Sequence, residues 1–209
     1  MSVDNLFFFH TKMAIIKNLQ TLFMIIFITI NILPFLTLAI SASHDQYYKT
    51  LTPKELGLKK REKLTHLHFY VPDVFSGPNA TEVRVAGPQL IKNSSNFGYT
   101  AMFDDPMTVG PEPSSKKIGS AQGLYGLASQ TEAAFVTVLN FVFTEGKFKG
   151  STLSVLGRDA FFLEVREMPI VGGSGAFRFA RGFAQEKTYI YNTTSFDSIV
   201  EYDVYVLHY

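Results

Sequence analysis

From Leu64 onward the chain alternates apolar and polar side chains with a period of two. In the first run Leu67, Phe69 and Val71 fall on one face and His66, His68 and Tyr70 on the other, as a half-buried strand requires. Runs of the same kind are expected at 81–86, 99–103, 120–127, 135–144, 151–156, 165–171, 177–188 and 199–208. Between them lie turn-forming clusters, among them Ser76-Gly77-Pro78-Asn79, Gly110-Pro111-Glu112-Pro113 and Gly172-Gly173-Ser174-Gly175, the last reading as a hairpin turn. In Phe103-Asp104-Asp105-Pro106 an Asp followed by Pro reads as the end of a strand. Eight or nine strands in one domain predict an all-β sandwich or a closed barrel, and the lumen of a barrel is the default ligand site.

The first 42 residues follow a different pattern. Lys12 and Lys17 precede an almost wholly apolar run from Leu19 to Ile40, which ends in the small residues Ala39, Ser41, Ala42 and Ser43. This is the layout of a secretory signal peptide. A retained anchor is the competing reading, because about 20 apolar residues can span a bilayer, but Asn31 and Pro34 interrupt the run. The domain plan is therefore a leader at 1–42, a polar extension at 43–63 and one β-domain at 64–209, with no membrane contact once the leader is cleaved. Three sequons, at Asn79, Asn93 and Asn192, each with Ser or Thr two residues on, fit a secreted glycoprotein.

Composition narrows the chemistry. Of 19 basic and 18 acidic side chains, the leader holds Lys12, Lys17 and Asp4, so the remainder balances to zero net charge, which argues against a nucleic-acid partner. With no cysteine in the chain, a disulfide framework, a thiolate nucleophile and a cysteine metal site are excluded. His66 and His68 could be paired metal ligands on one strand face, but no carboxylate and later histidine stand at suitable spacing, and no metal or other cofactor is expected. Asp159 and Arg166 flank the apolar stretch Phe161-Phe162-Leu163. In an aromatic lumen such an acid would keep its proton and act as a general acid, with the Arg binding a phenolate or carbonyl oxygen; a surface ion pair explains the same residues.

Taken in order, six blocks resemble the plant dirigent family over about residues 64–209: His68-Phe69-Tyr70-Val71-Pro72-Asp73 with Asn79-Ala80-Thr81; Phe103-Asp104-Asp105-Pro106-Met107-Thr108; Ser120-Ala121-Gln122-Gly123-Leu124-Tyr125; Ser151-Thr152-Leu153-Ser154-Val155-Leu156-Gly157; Arg166 through Gly175; and Ala180-Arg181-Gly182-Phe183-Ala184. The resemblance implies an eight-stranded antiparallel β-barrel, trimeric in known relatives and secreted to the cell wall. It implies a stereo-directing auxiliary without an oxidative centre, holding two coniferyl alcohol radicals made by a separate laccase or peroxidase so that they couple to an optically active lignan such as pinoresinol. The family's pocket acids fall on Asp73 and Asp159, its arginine on Arg166 and a pocket tyrosine on Tyr125. Pro72 and Leu127 stand where lignan-forming relatives usually carry His and Tyr. The tail from Ile199 and the segment 110–115 resemble the subgroup that includes pterocarpan synthases, which implies the alternative of a lyase-type cyclase closing an isoflavanol-derived quinone methide.

Overall fold

The computed structural model describes residues 3–41, 47–88 and 96–209, so the sequon at Asn93 and the leader's last residues, Ala42 and Ser43, lie outside the described residues. The chain divides into two units, Met1–Thr52 and Pro53–Tyr209. The first is built on α1 (Val3–Ser41), in which His10–Ile32 is long and apolar enough to cross a membrane.

The second unit is a β-barrel. Its strands are β1 (Lys63–Asp73), β2 (Glu82–Ala86), β3 (Thr100–Thr108), β4 (Lys117–Leu127), β5 (Phe135–Phe143), β6 (Thr152–Asp159), β7 (Arg166–Ser174), β8 (Arg181–Tyr191) and β9 (Ser198–His208). Neighbours run antiparallel in the order β1-β9-β8-β7-β6-β5-β4-β3, and a β1–β3 pairing closes the ring; β2 is an extra strand on β3. The expected eight-stranded antiparallel barrel is thus the fold.

Period-two alternation sends Phe69, Val71, Met107, Ala121, Leu139, Phe141, Leu153, Val155, Met168, Ile170, Ala184, Val204 and Val206 inward, where they form one buried core. Tyr202 stacks on Phe69 at 5.6 Å and meets Phe141 edge-on at 5.2 Å. Below this level the barrel has a floor. Phe143, Phe148 and Phe177 pack together, and His208 bridges the Thr65 hydroxyl at 2.9 Å and the Ala176 carbonyl at 2.9 Å. Strands this tightly curved approach closely. A Cβ at Gly123 would lie 2.2 Å from the Val138 carbonyl oxygen, so only glycine fits there.

Two expected boundaries move. Asp104, Asp105 and Pro106 do not end a strand but lie inside β3, which pairs with β4 from Thr100 to Thr108. Pro106 is tolerated because β3 leaves β2 at the Glu82–Phe103 pair and does not meet β1 until Tyr70–Thr108, so on that flank there is no ladder for its missing N–H to interrupt. Similarly, Gly172, Gly173 and Ser174 are strand residues paired with Ser154, Leu153 and Thr152; the turn falls at Gly175–Phe177.

Candidate functional site

At the end of the barrel opposite the floor, the inward positions turn polar. Asp73 ends β1, Asp105 lies on β3, Tyr125 on β4, Asp159 ends β6, Arg166 begins β7 and Glu186 lies on β8. In ring order β6–β8 face β1 and β3 across the lumen, so the acids form two groups on opposite walls.

The first wall holds Asp73, Asp105, Glu82, Tyr99 and Tyr125. The Tyr99 hydroxyl donates to Glu82 at 2.8 Å, and Tyr125 also hydrogen-bonds Glu82. Burial and the neighbouring Glu82 and Asp197 push the Asp73 carboxyl up to about 7, and burial with Asp73 close by pushes Asp105 up to about 8. Burial and Glu82 likewise raise the Tyr125 phenol, which stays protonated.

The second wall is organised by Arg166, whose side chain is only 3% exposed. Its Nε donates to Asp159 Oδ1 at 3.1 Å, one Nη donates to the Thr188 hydroxyl at 2.8 Å, and Glu186 Oε1 lies 3.8 Å from Nε. One guanidinium therefore faces two buried carboxyls. Burial and the Asp159 charge push Glu186 up to about 8, against the pull of Arg166 and of the Tyr202 hydroxyl. Burial also raises Asp159, but Arg166 opposes the shift. The two carboxyls titrate as a pair around one guanidinium, and Asp159 is the one that Arg166 Nε binds directly.

Between the walls runs an aromatic shelf. Tyr125 lies 4.4 Å from Phe135, and Phe135 stacks on Phe161 at 4.5 Å with their planes 13° apart; Tyr99, Ala101 and Leu127 are buried beside them. A flat phenolic ring fits such a surface. A groove of about 330 Å³ lined by Ala134, Phe135, Val136, Leu156, Gly157 and Arg158 contains none of the carboxyls.

The four residues expected at the site thus share one end of the barrel, with Asp159 and Arg166 in direct contact and Asp73 and Tyr125 joined through Glu82. Sequence reasoning missed Asp105, Glu82 and Glu186. Continued alternation could have found Asp105 and Glu186, each two residues from a core position, Met107 and Ala184. Pro72 alternates away from the lumen. His66 and His68 sit on the outer face, both bound to Asp203 Oδ1, at 2.7 and 2.9 Å. Asn79 and Asn192 are exposed, and the Asn192 side-chain oxygen accepts from the Thr194 backbone N–H at 2.9 Å.

Fold and site define a small closed barrel with acid–base groups gathered at one mouth. The chain belongs to the dirigent family: residues 64–207 match the family described as Dirigent-like protein. It is 51% identical to pterocarpan synthase 1 of Glycyrrhiza echinata, over 85% of this chain and 94% of that protein. It is also 45% identical to dirigent protein 21 of Arabidopsis thaliana, over 83% of this chain and 92% of that protein. A solved pterocarpan synthase dirigent protein superposes with a TM-score of 0.70 at 49% identity, covering 78% of this chain and 89% of that structure.

Proposed function

We propose that this dirigent barrel is an oxidant-independent dehydrating cyclase that closes an isoflavanol to a pterocarpan. The observation that carries the reading is the pairing of a neutral acid wall with an arginine-held carboxylate across an aromatic shelf; similarity to pterocarpan synthases over most of the chain supports it. Asp73, protonated near neutrality, gives its proton to the departing hydroxyl, which leaves as water. As water leaves, the phenol conjugated with the reacting carbon gives its proton to solvent, which leaves a quinone methide. The substrate's second phenol oxygen attacks that carbon; Asp159, with Arg166 bound to it at 3.1 Å, takes the attacking phenol's proton, and the first phenol regains one from solvent. Tyr125 holds a substrate oxygen, and the shelf fixes which face is attacked.

Secreted protein incubated with an isoflavanol bearing a free phenol, without oxidant, is expected to yield one enantiomer of a product lighter by one water. Absence of turnover across a panel of such alcohols would sink the reading. Family membership supports the other reading, stereo-directed coupling of phenoxy radicals from a laccase or peroxidase, and one enantiomer of a lignan from coniferyl alcohol plus laccase would favour it.

The same proposal places the working protein outside the cell after loss of α1, as a homo-oligomer. An outward apolar row supports the assembly: Val83, Met102, Leu124, Val138 and Leu156 are successive cross-strand partners on β2 to β6 and are all exposed, the kind of patch that subunit contacts cover. Light scattering of secreted protein is expected to give an oligomer whose amino terminus lies near residue 42, and Leu124→Asp to give monomers. A full-length, membrane-bound monomer would contradict both points.

A further inference from the structure

We propose that Asp105 forms a carboxyl–carboxylate pair with Asp73 that shares one proton, and is the positioning residue that keeps Asp73 in its proton-donating form. The inference deepens the cyclase reading and rests on it for its catalytic part only.

Register is the first support. β1 and β3 run antiparallel through the pair Tyr70–Thr108. Beyond it they part around Thr81, whose N–H donates to the Val74 carbonyl and whose own carbonyl accepts the Asp104 N–H, both at 2.9 Å, so Asp73 and Asp105 stand on the two strands where they diverge. Tyr70 and Thr108 belong to the outward set, so Asp73 and Asp105, an odd number of residues away, both belong to the inward set. Val71 and Met107, which precede them toward the floor in the same register, are both buried in the core. Inward side chains at such neighbouring positions converge on the lumen, and the Asp73 charge acts on Asp105.

The second support is what surrounds the two groups. Each has an Oδ1 that is buried and without a hydrogen-bond partner, a costly state for an ionised carboxylate and one that a shared proton relieves. The charged groups acting on them are all acidic: Glu82 from β2 and Asp197 from the loop before β9 on Asp73, and Glu82 and Asp104 on Asp105. The remaining contacts are hydroxyls, Ser198 on Asp73 and Thr81 on Asp105. Among the described residues the charges named as acting on these two carboxyls include no cation, in contrast with Arg166 opposite. Two carboxyls so placed cannot both ionise near neutrality, and the second charge raises the affinity of the pair for its proton. Thr81 ties the pair to the backbone, since its hydroxyl also accepts the Val74 N–H at 3.0 Å. This gives the sequon threonine a role in the folded wall.

The shared proton predicts a pH signature that a structural role would not move. In Asp105→Asn the like charge is gone, Asp73 ionises more readily, and the alkaline limb of kcat/KM shifts to lower pH by about one unit or more. Activity at pH 5 is expected within about threefold of the wild type and at least tenfold below it at pH 7.5. Asp105→Glu, which restores the charge, is expected to return the limb toward its original position. An equal loss at both pH values with the limb unmoved would overturn the proposal.

Titration of the unmodified protein, carboxyl-labelled with ¹³C at aspartate, tests the pair without reference to turnover. Two aspartate signals are expected to titrate together above pH 6, both displaced in Asp73→Asn. If every aspartate titrates near 4, the pair does not exist, whatever the enzyme does. If the coupled signals are present but no isoflavanol reacts, the cyclase reading fails and the pair stands.

Discussion

Replacing Arg166 with Leu is expected to lower stability by about 3–5 kcal/mol and to reduce cyclisation by roughly 10²–10³-fold. The stability loss follows from burial. Arg166 is 3% exposed, holds Asp159 at 3.1 Å and lies 3.8 Å from Glu186, so its removal leaves Asp159 buried without its cation, beside a Glu186 oxygen that is already orphaned. At roughly 2–4 °C per kcal/mol for a domain of this size, the melting temperature falls by about 6–20 °C. Adding Glu186→Gln is expected to recover part of the stability, because the amide cannot ionise beside Asp159 and can donate to it, but none of the activity, because Asp159 still lacks its partner. Thermal melts with turnover assays on the single and double variants check both points; a single variant as stable as the wild type would show that the pair is not closed to water.

Raising the pH from 5 to 8 is expected to destabilise the barrel, with the melting temperature falling by about 5–10 °C. Asp73, Asp105 and Glu186 have folded-state values of about 7, 8 and 8, above the ordinary carboxyl range that they occupy when unfolded. Between about pH 4 and 8 the native state therefore binds more protons than the unfolded chain, and stability declines as pH rises. The contribution is fully present below about pH 4 and is spent once the pH passes the folded values. Calorimetry at half-unit steps reads the slope, which Asp105→Asn should flatten. A melting temperature that rises over this range would mean that the buried acids are ionised in the fold.

Legibility in the sequence varied with the kind of signal. β1 and β9 were readable because Leu67, Phe69 and Val71, or Tyr202, Val204 and Val206, alternate cleanly with polar residues, and the floor side of a closed barrel must be apolar. Asp159 and Arg166 were readable as a pair because opposite charges flank an apolar stretch, but only their burial, with Arg166 3% exposed, separates them from an ordinary surface ion pair. Asp105 was hidden by its context. Asp-Pro is a strong local stop signal, and only the place of β3, between the end of β2 and the start of its contact with β1, makes Pro106 harmless. Gly172 and Gly173 misled in the same way: glycine marks a turn when read locally, but here a Cβ at Gly173 would lie 2.5 Å from the Thr152 carbonyl oxygen, so the residue serves strand contact. Glu82 was invisible because its partners, Tyr99 and Tyr125, meet it only when β2 is added to the outside of the ring.

The separation of an apolar floor from a polar mouth has a consequence for how this scaffold can change over evolutionary time. Stability resides in the Phe143, Phe148 and Phe177 cluster and the rings above it, while chemistry resides at strand ends and in the loops beyond them. A substitution at Leu127, Phe135 or Phe161 alters the aromatic shelf at the mouth without touching the closure of the barrel at its base. Descendants of one ancestral barrel can therefore reshape the mouth through a few changes at the rim, each tested by selection on a frame that stays folded.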